Sequence, residues 1–352
     1  MLLFYQLNTV TLRERTATVD GSIDEFIKIK INGINQQIWI RSNNPSAPLI
    51  LFLHGGPGHP HMHQAGAETM PLINDYIVVQ WDQRGAGASF SPDIEPKSLT
   101  IQQMEDDSIS LISELLKKYN RKKIYLLGHS WGSYLGLRIA HKYPEFIEAF
   151  VAVGLVTDMI PAYKLMRKNL IKQAAQKIQK AKKEHNPEKV ARFLEAKEKL
   201  EKFDIEETVK RADWDYFLKN YFEPRTNLEF PYALKEIEGE NPHIFTQEAR
   251  KEYVTLLEKS MQLAVGLFFE VLKQSPTEDI KEIKVPIFTI LGRHDYNIEP
   301  NLASQYMDKL IAPFKKTVWF ENSAHMMTFE EPEKFKKLMI EEVLNLQFCV
   351  GR

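Results

Sequence analysis

The chain has 352 residues, of which 43% are hydrophobic and 26% charged, and its formal net charge is −1. This length suffices for one large α/β domain with an insertion or for two ordinary domains. The nearly balanced charge argues against a general nucleic-acid binder, whose affinity comes from neutralising phosphates, and no apolar run is long enough to span a bilayer.

The first predicted strands form an antiparallel hairpin. Residues 25–31 and 37–40 have strand patterns, and Asn32 and Gly33 between them are a turn signal. Continuous apolar runs follow, a pattern typical of parallel strands that are covered on both faces. These runs are residues 49–53, 77–79, 124–127, 150–153, 287–291 and 317–320.

Helical patterns separate most of these runs. Thr100 and Gln103 are spaced as a capping box that opens a helix through Leu116, and Pro332 is placed to open the last helix. The order of elements therefore predicts an α/β fold, with a mostly parallel eight-stranded sheet flanked by helices.

An insertion interrupts this order. Residues 158–282 lose the strand pattern and become helical and charged, with an apolar stripe at helical spacing formed by Leu170, Ile171, Ala174 and Ile178. We predict a helical cap over residues 158–282, inserted into a domain made of residues 1–157 and 283–352. The lysine-rich face of the cap is interpreted as solvated, with an anionic membrane surface as the alternative.

Aromatic side chains are concentrated in the second half of the insertion. We expect most of them to form the core of the cap and a few to line a substrate pocket, because ligand sites are mainly apolar and lie at domain junctions. They are Trp214, Tyr216, Phe217, Tyr221, Phe222, Phe230 and Tyr232.

A nucleophile elbow is indicated at residues 128–132, which read Gly-His-Ser-Trp-Gly. The motif follows a predicted strand and precedes a predicted helix, which is the context that makes this short pattern informative. The turn is so sharp that only glycine fits beside the serine. We therefore predict that Ser130 is a nucleophile exposed above the sheet.

A serine nucleophile needs a base and an acid that orients the base. His325 closely follows the last predicted strand, and Asp295 closely follows the strand before it. The order Ser130, Asp295, His325 is that of α/β-hydrolase triads. Asp158, which follows the strand that ends near Val156, is the reserve candidate for the acid.

Donors for the oxyanion are expected from two backbone N–H groups. One belongs to Trp131, directly after the nucleophile, and the other to the loop at residues 54–58, His-Gly-Gly-Pro-Gly. Gly56 is the first choice for this second donor and Gly55 the next, since small residues let the backbone approach a reacting carbonyl.

Three motifs together resemble the proline iminopeptidase branch of the α/β-hydrolases. They are residues 54–58, residues 81–89 (Trp-Asp-Gln-Arg-Gly-Ala-Gly-Ala-Ser) and residues 128–133. The resemblance covers residues 26–156 and the chain from 285 onward. It implies an α/β-hydrolase fold, the triad Ser130, Asp295 and His325, and oxyanion donors at Gly56 and Trp131. Asp82 and Arg84 are interpreted as a structural charge pair that fixes the loop near the site.

The cap resembles that branch least. Relatives that release N-terminal proline hold the substrate's α-ammonium with cap glutamates. In this chain Glu223 is the preferred candidate, and Glu236, Glu238 and Glu240 are further acids. Trp214, Phe222 and Gly55 are additional candidate substrate contacts.

The histidines after the glycine loop offer a competing interpretation. His59, His61 and His63 alternate and, with His54, suggest a metal site. No carboxylate or cysteine lies among them, and a serine mechanism needs no metal. We therefore predict neither a metal nor another cofactor, and a flexible loop at the mouth of the pocket.

These observations predict a serine aminopeptidase of proline iminopeptidase type, acting on a small peptide. A carboxylesterase or lactonase on small acyl substrates is the alternative, and a non-catalytic ligand sensor on the same scaffold is a third hypothesis. Neither nucleic acid nor membrane is an expected partner, and the oligomeric state stays open. The single cysteine, Cys349, and the lack of a signal-peptide pattern indicate a cytoplasmic protein.

Overall fold

The computed structural model describes residues 15–16, 21–64, 68–230 and 247–346. Its sheet has nine strands in the order β1-β2-β3-β5-β4-β6-β7-β8-β9. Strands β2 to β9 have five to nine residues each, which confirms the predicted eight-stranded sheet, and β1 is an additional two-residue strand at the edge. The strands are β1 (Arg15–Thr16), β2 (Ile23–Ile31), β3 (Ile34–Ser42), β4 (Leu49–Leu53), β5 (Ile77–Trp81), β6 (Ile124–His129), β7 (Ile147–Val153), β8 (Ile287–Gly292) and β9 (Lys315–Phe320).

The sheet has an antiparallel edge and a parallel centre. β2 and β3 form the predicted hairpin, and Asn32 and Gly33 at its turn have φ values of 44° and 87°, as a two-residue turn with left-handed backbone requires. From β5 through β4, β6, β7 and β8 to β9 all pairs are parallel. The carboxyl ends of these strands therefore lie along one edge.

Two hydrophobic cores cover the two faces of the sheet. Alternate residues of β4 belong to different cores: Leu51 lies in one, and Ile50 and Phe52 lie in the other. This explains why the parallel strands have continuous apolar sequences. The flanking helices are Ile101–Lys118, Trp131–Lys142, Pro300–Lys309, Met327–Glu330 and Pro332–Lys337.

The helix Ile101–Lys118 begins as the sequence predicts. The hydroxyl of Thr100 accepts a hydrogen bond from the backbone N–H of Gln103, with 3.1 Å between the heavy atoms. The side-chain amide of Gln103 donates to Oδ1 of Asp107, one turn further along the helix.

The insertion between β7 and β8 is helical in its described part. Leu170, Ala174 and Ile178 of the predicted stripe are buried there, together with Phe193 and Leu200 of the next helix. No helix among the described residues is long and apolar enough to cross a membrane. The helices of the insertion are Met159–Lys183, Pro187–Lys202, Ile205–Arg211, Trp214–Phe217, Glu223–Asn227, Gln247–Leu263, Val265–Leu272 and Pro276–Asp279.

Candidate active site

Ser130 occupies a strained turn between β6 and the helix Trp131–Lys142. Its φ and ψ are 53° and −120°, a conformation that residues other than glycine rarely adopt. A Cβ on Gly128 would lie 2.3 Å from the carbonyl oxygen of Gly132, and one on Gly132 would lie 1.9 Å from that of Leu53. Both flanking glycines are therefore required by backbone contacts.

His325 and Asp295 form a buried hydrogen-bonded pair at the ends of β9 and β8. The imidazole Nδ1 lies 2.7 Å from Oδ2 of Asp295. The other carboxylate oxygen accepts from the backbone N–H groups of Asn297 (2.7 Å) and Ile298 (3.1 Å). Burial raises the pKa of Asp295, but His325 and these donors outweigh it and lower the pKa below its usual value. Nδ1 is therefore the nitrogen through which Asp295 fixes the orientation of the imidazole.

A buried glutamate fixes the loop that carries His325. The carboxylate of Glu330 accepts from the backbone N–H groups of Ala324 (2.9 Å) and Met326 (3.1 Å), which flank the histidine. Glu331 accepts from the backbone N–H of Asn322 and from the hydroxyl of Ser323. Sequence reasoning missed both glutamates, because nothing in their spacing shows that the next helix folds back on this loop.

A cavity of about 310 Å³ opens above Ser130 and His325. Gly56 and Trp131 also contribute to its floor. Its wall comes mostly from the insertion and is mainly apolar, and none of the described lining residues carries a carboxylate. The wall residues of the insertion include Met159, Tyr163, Trp214, Phe222, Met261, Val265, Phe268, Val271 and Leu272.

A hydrogen-bond network connects the glycine loop to Trp131. His54 Nδ1 donates to the carbonyl of Gly55 (2.8 Å), so its Nε2 is the acceptor for the backbone N–H of Gln83 (3.1 Å). The side-chain amide of Gln83 donates to the carbonyl of His54 (3.2 Å) and accepts from the indole N–H of Trp131 (2.9 Å). Burial lowers the pKa of His54 to about 3, consistent with this neutral tautomer. Gln83, which sequence reasoning left without a role, thus holds both candidate oxyanion segments.

The two glycines of the loop differ in position. Gly56 has a φ of 114° and lines the cavity, and a Cβ there would lie 2.6 Å from the backbone nitrogens of Gly58 and His59. Gly55 does not line the cavity, and its Cβ would instead lie 3.2 Å from Nδ1 of His129. Trp131 is the first residue of its helix, where a backbone N–H has no partner within the helix.

Comparison with known proteins identifies the family. The model of the α/β hydrolase fold matches residues 48–332. The chain belongs to the α/β-hydrolase fold family. It is 29% identical over 321 residues to a protein of Bacillus subtilis named "Probable aminopeptidase", covering 89% of this chain and 94% of that protein. It is 26% identical over 325 residues to the proline iminopeptidase of Saccharolobus solfataricus, covering 91% and 92%.

Solved structures share the fold of this hydrolase. The proline iminopeptidase of Mycobacterium smegmatis superposes with a TM-score of 0.63 at 17% identity, covering 93% of this chain and all (100%) of that one. A proline iminopeptidase-related protein from Thermus thermophilus has a TM-score of 0.60 at 18% identity, covering 90% and 96%. Together with the sequence relatives they show an α/β hydrolase that is similar to proline iminopeptidases.

The structure gives the reserve acid another partner and corrects one predicted charge pair in this hydrolase. Asp158, the reserve acid, accepts from the backbone N–H and the hydroxyl of Thr277, and so caps a short helix of the insertion. Asp82 and Arg84 do not pair with each other. Arg84 forms a buried two-pronged pair with Asp107 in the helix Ile101–Lys118, at 2.7 and 2.9 Å.

Asp82 instead binds the insertion. Its carboxylate accepts from the hydroxyl of Tyr253 (2.7 Å) and from the backbone N–H of Ala88 (2.8 Å), and burial raises its pKa to about 7. Tyr253 lies in the helix Gln247–Leu263. Ser260 lies in the same helix, and its hydroxyl accepts a hydrogen bond from the backbone N–H of Gly87 (3.0 Å). This helix therefore docks directly on the residue 81–89 motif.

The position predicted for Glu223 is also wrong. Its side chain is 49% exposed, pairs with Lys199 at 3.1 Å, and does not line the cavity. Phe222, the residue before it, lines the cavity. Trp214 also lines the cavity. Glu236, Glu238 and Glu240 lie outside the described residues, as does Tyr232.

Four histidine rings pack in a series that leads from the glycine loop to His325. Ring centroids of successive members, His59, His61, His129 and His325, lie 5.3, 5.2 and 4.8 Å apart. Among the described residues, no group of three or more His, Cys, Asp or Glu side chains is arranged to hold a metal ion. Burial lowers the pKa of His59 to about 4 and that of His129 to about 3, so both rings are neutral.

Proposed function

We propose that this hydrolase is a serine aminopeptidase of proline iminopeptidase type, which releases the N-terminal residue of short peptides. The observation that carries the proposal is the meeting of Ser130 and His325 in one cavity, with Asp295 bound behind the histidine. The names of the two sequence relatives, a probable aminopeptidase and a proline iminopeptidase, support it.

In this mechanism His325 accepts the proton of Ser130 as the hydroxyl attacks the scissile carbonyl. Asp295 keeps the imidazole oriented and stabilises its charged form. The backbone N–H groups of Gly56 and Trp131 bind the oxyanion. His325 then protonates the leaving amine, and water attacks the acyl-enzyme to release the N-terminal residue and free Ser130.

The cavity suits a substrate whose reacting end is small and apolar. In the proposal residues 158–282 form a cap, whose helices cover the floor that carries Ser130. Phe222, Phe268 and Leu272 offer contact to an aliphatic or prolyl ring, since apolar walls with few polar groups are typical of small-molecule sites. A cavity of about 310 Å³ has room for the terminal residue of a short peptide.

Arylamide hydrolysis tests this proposal. Prolyl, leucyl and phenylalanyl arylamides, each with a free and an acetylated amine, are compared in the wild-type protein and in Ser130→Ala. We expect turnover of free-amine substrates, and a loss of at least about 10⁴-fold in Ser130→Ala without loss of thermal stability. Full activity in Ser130→Ala, or no arylamide cleavage by the wild-type protein, would overturn the proposal.

A carboxylesterase or lactonase is the second candidate, and the lining of the cavity favours it. None of the described lining residues offers a carboxylate to a substrate ammonium. The same serine chemistry cleaves esters, which need no such partner. If the protein cleaved short acyl esters but no aminoacyl arylamide, the esterase would be selected. Faster cleavage of free-amine than of acetylated substrates would select the aminopeptidase.

A further inference from the structure

His129, the residue before the nucleophile, touches the backbone of His325. Its Nε2 lies 2.9 Å from the carbonyl oxygen of His325, and the two ring centroids are 4.8 Å apart. A carbonyl oxygen only accepts hydrogen bonds, so Nε2 must carry the proton and donate it. In this neutral ring Nδ1 is unprotonated, and it makes no hydrogen bond with the described residues.

This contact adds to the bonds that hold His325. Asp295 fixes the ring of His325 through Nδ1, and Glu330 binds the backbone N–H groups on either side of it. The carbonyl of His325 itself is bound by His129. Because His129 precedes Ser130 in the chain, this bond links the nucleophile turn directly to the loop that carries the base.

The ring of His129 is confined on its other sides. A Cβ on Gly55 would lie 3.2 Å from its Nδ1, so the glycine leaves just enough room for it. The buried ring of His61 lies 5.2 Å away, centroid to centroid. Nδ1 of His61 lies 3.4 Å from the carboxyl of Glu68, which accepts from the hydroxyl of Thr328, three residues after His325. These neighbours restrict rotation of the His129 ring away from the carbonyl.

We infer that His129 is a positioning residue, which sets the distance between Ser130 and His325 by holding the main chain of the histidine. The inference rests on the proposed serine mechanism. A mispositioned base slows proton transfer from Ser130, and a displacement of about 1 Å can cost on the order of 100-fold in rate. Substrate binding is expected to change much less, because His129 does not line the cavity.

Three substitutions separate positioning from packing. In His129→Gln the side-chain amide reaches the place of Nε2 and can donate to the carbonyl. In His129→Asn the shorter amide corresponds to Nδ1 and cannot. His129→Leu fills the space without a donor. His141→Leu is the matched control, because Nδ1 of His141 makes the same kind of bond, 2.9 Å long, to the carbonyl of Glu282, away from the cavity.

The measurements are kcat and KM on whichever arylamide or ester the wild-type protein cleaves, with the thermal midpoint of each variant. We expect kcat to fall on the order of 10- to 100-fold in His129→Leu and His129→Asn, with KM changed less than about two-fold. His129→Gln should recover most of the rate, and His141→Leu should match the wild-type protein. Full kcat in a folded His129→Leu or His129→Asn, or equal losses in His129→Gln and His129→Asn, would overturn the inference.

A readout without turnover separates this inference from the proposed function. The proton that His325 shares with Asp295 is followed by NMR, and we expect it to exchange faster with solvent in His129→Leu and His129→Asn than in the wild-type protein and His129→Gln. Unchanged exchange in all three variants would overturn the positioning role even if the protein cleaved no substrate. Absence of turnover with the expected pattern of exchange would overturn the proposed function alone.

Discussion

The floor and the wall of the cavity hold their side chains in different ways. On the floor, polar groups are bound to specific partners: His325 to Asp295, and Gln83 to both His54 and Trp131. The wall consists mostly of apolar side chains that contact each other, such as Trp214 and Phe268, whose ring centroids are 5.1 Å apart. Polar geometry tolerates little displacement, whereas apolar packing accepts replacement at similar volume. We therefore expect floor residues to control rate and wall residues to control substrate choice.

The largest expected effect separates two candidate acids. Asp295→Asn keeps the shape of the side chain but disfavours the tautomer of His325 that the mechanism needs, so kcat should fall about 10⁴-fold. Asp158→Asn is the matched variant, and because Asp158 binds Thr277 we expect unchanged kcat. Steady-state kinetics of the two variants show which aspartate is the acid that orients His325. A large loss in Asp158→Asn alone would reverse it.

Gln83→Leu tests whether the floor network prepares the oxyanion site. Loss of the side-chain amide leaves the indole N–H of Trp131 and the backbone carbonyl of His54 without this partner. We expect kcat to fall about 10- to 100-fold with little change in KM, because the donors are displaced rather than removed. Gln102→Leu, which removes an exposed glutamine bonded to Asp106, is the control. A rise in KM with constant kcat would place Gln83 in substrate binding instead.

On the wall, Trp214→Ala should act through substrate binding. Removing a large apolar contact is expected to lower kcat/KM about 10-fold for substrates with an apolar residue, mainly by raising KM. Tyr216→Ala removes a neighbouring aromatic side chain that does not line the cavity and should leave KM unchanged. If Trp214→Ala lowered kcat alone, the division of labour between floor and wall would be wrong.

Glu68→Gln tests whether the buried carboxyl of Glu68 is protonated, and the measured quantity is the stability of the fold as a function of pH. Burial raises the pKa of Glu68 from its ordinary 4.5 to about 8, so the folded state retains a proton that the unfolded state loses. This group therefore lowers the free energy of unfolding as pH rises from about 5 to 8, by about 1.4 kcal/mol for each unit of pKa difference.

In Glu68→Gln that pH dependence should disappear, so the variant gains stability over the wild-type protein as pH rises through this range. Urea unfolding at pH 5, 6.5 and 8 measures it. The exposed Glu114→Gln should follow the wild-type profile. A constant difference between Glu68→Gln and the wild-type protein at all three pH values would contradict a protonated Glu68.

The smallest effect is expected at Glu223. Because its carboxylate faces solvent and pairs with Lys199, Glu223→Gln should leave KM for free-amine substrates within about two-fold of the wild-type value. The measurement uses prolyl and leucyl arylamides, with Lys199→Gln as the matched variant. If KM rose only in Glu223→Gln and only for free-amine substrates, Glu223 would instead be assigned to binding of the substrate ammonium.

The contrast between the floor and the wall of the cavity also explains which features the sequence predicts well. The strands, the turn at Ser130 and the loop at Gly56 are each marked by a short pattern in the sequence. Glycine at 128 and 132 is part of such a pattern, because a Cβ at either position would clash with backbone. The sheet topology then brings Asp295 and His325 to the same edge as Ser130. These features follow from short motifs and from the order of the strands.

Side-chain partners that are distant in sequence are predicted poorly. Arg84 pairs with Asp107 rather than with Asp82, and Asp82 binds Tyr253, 171 residues away. In the insertion, the π-helical segment Leu218–Phe222 shifts the helical phase directly before Glu223, so no periodic pattern shows which way its carboxylate points. Tertiary packing alone decides such contacts.

The backbone of Ser130 also limits the chemical repertoire of this turn. At φ 53° and ψ −120°, a residue branched at the β-carbon is more strained than serine, so threonine is disfavoured there. Cysteine and aspartate are not branched at the β-carbon and add no such strain. The backbone of this turn therefore accommodates serine, cysteine or aspartate at position 130 with similar strain, and threonine with more.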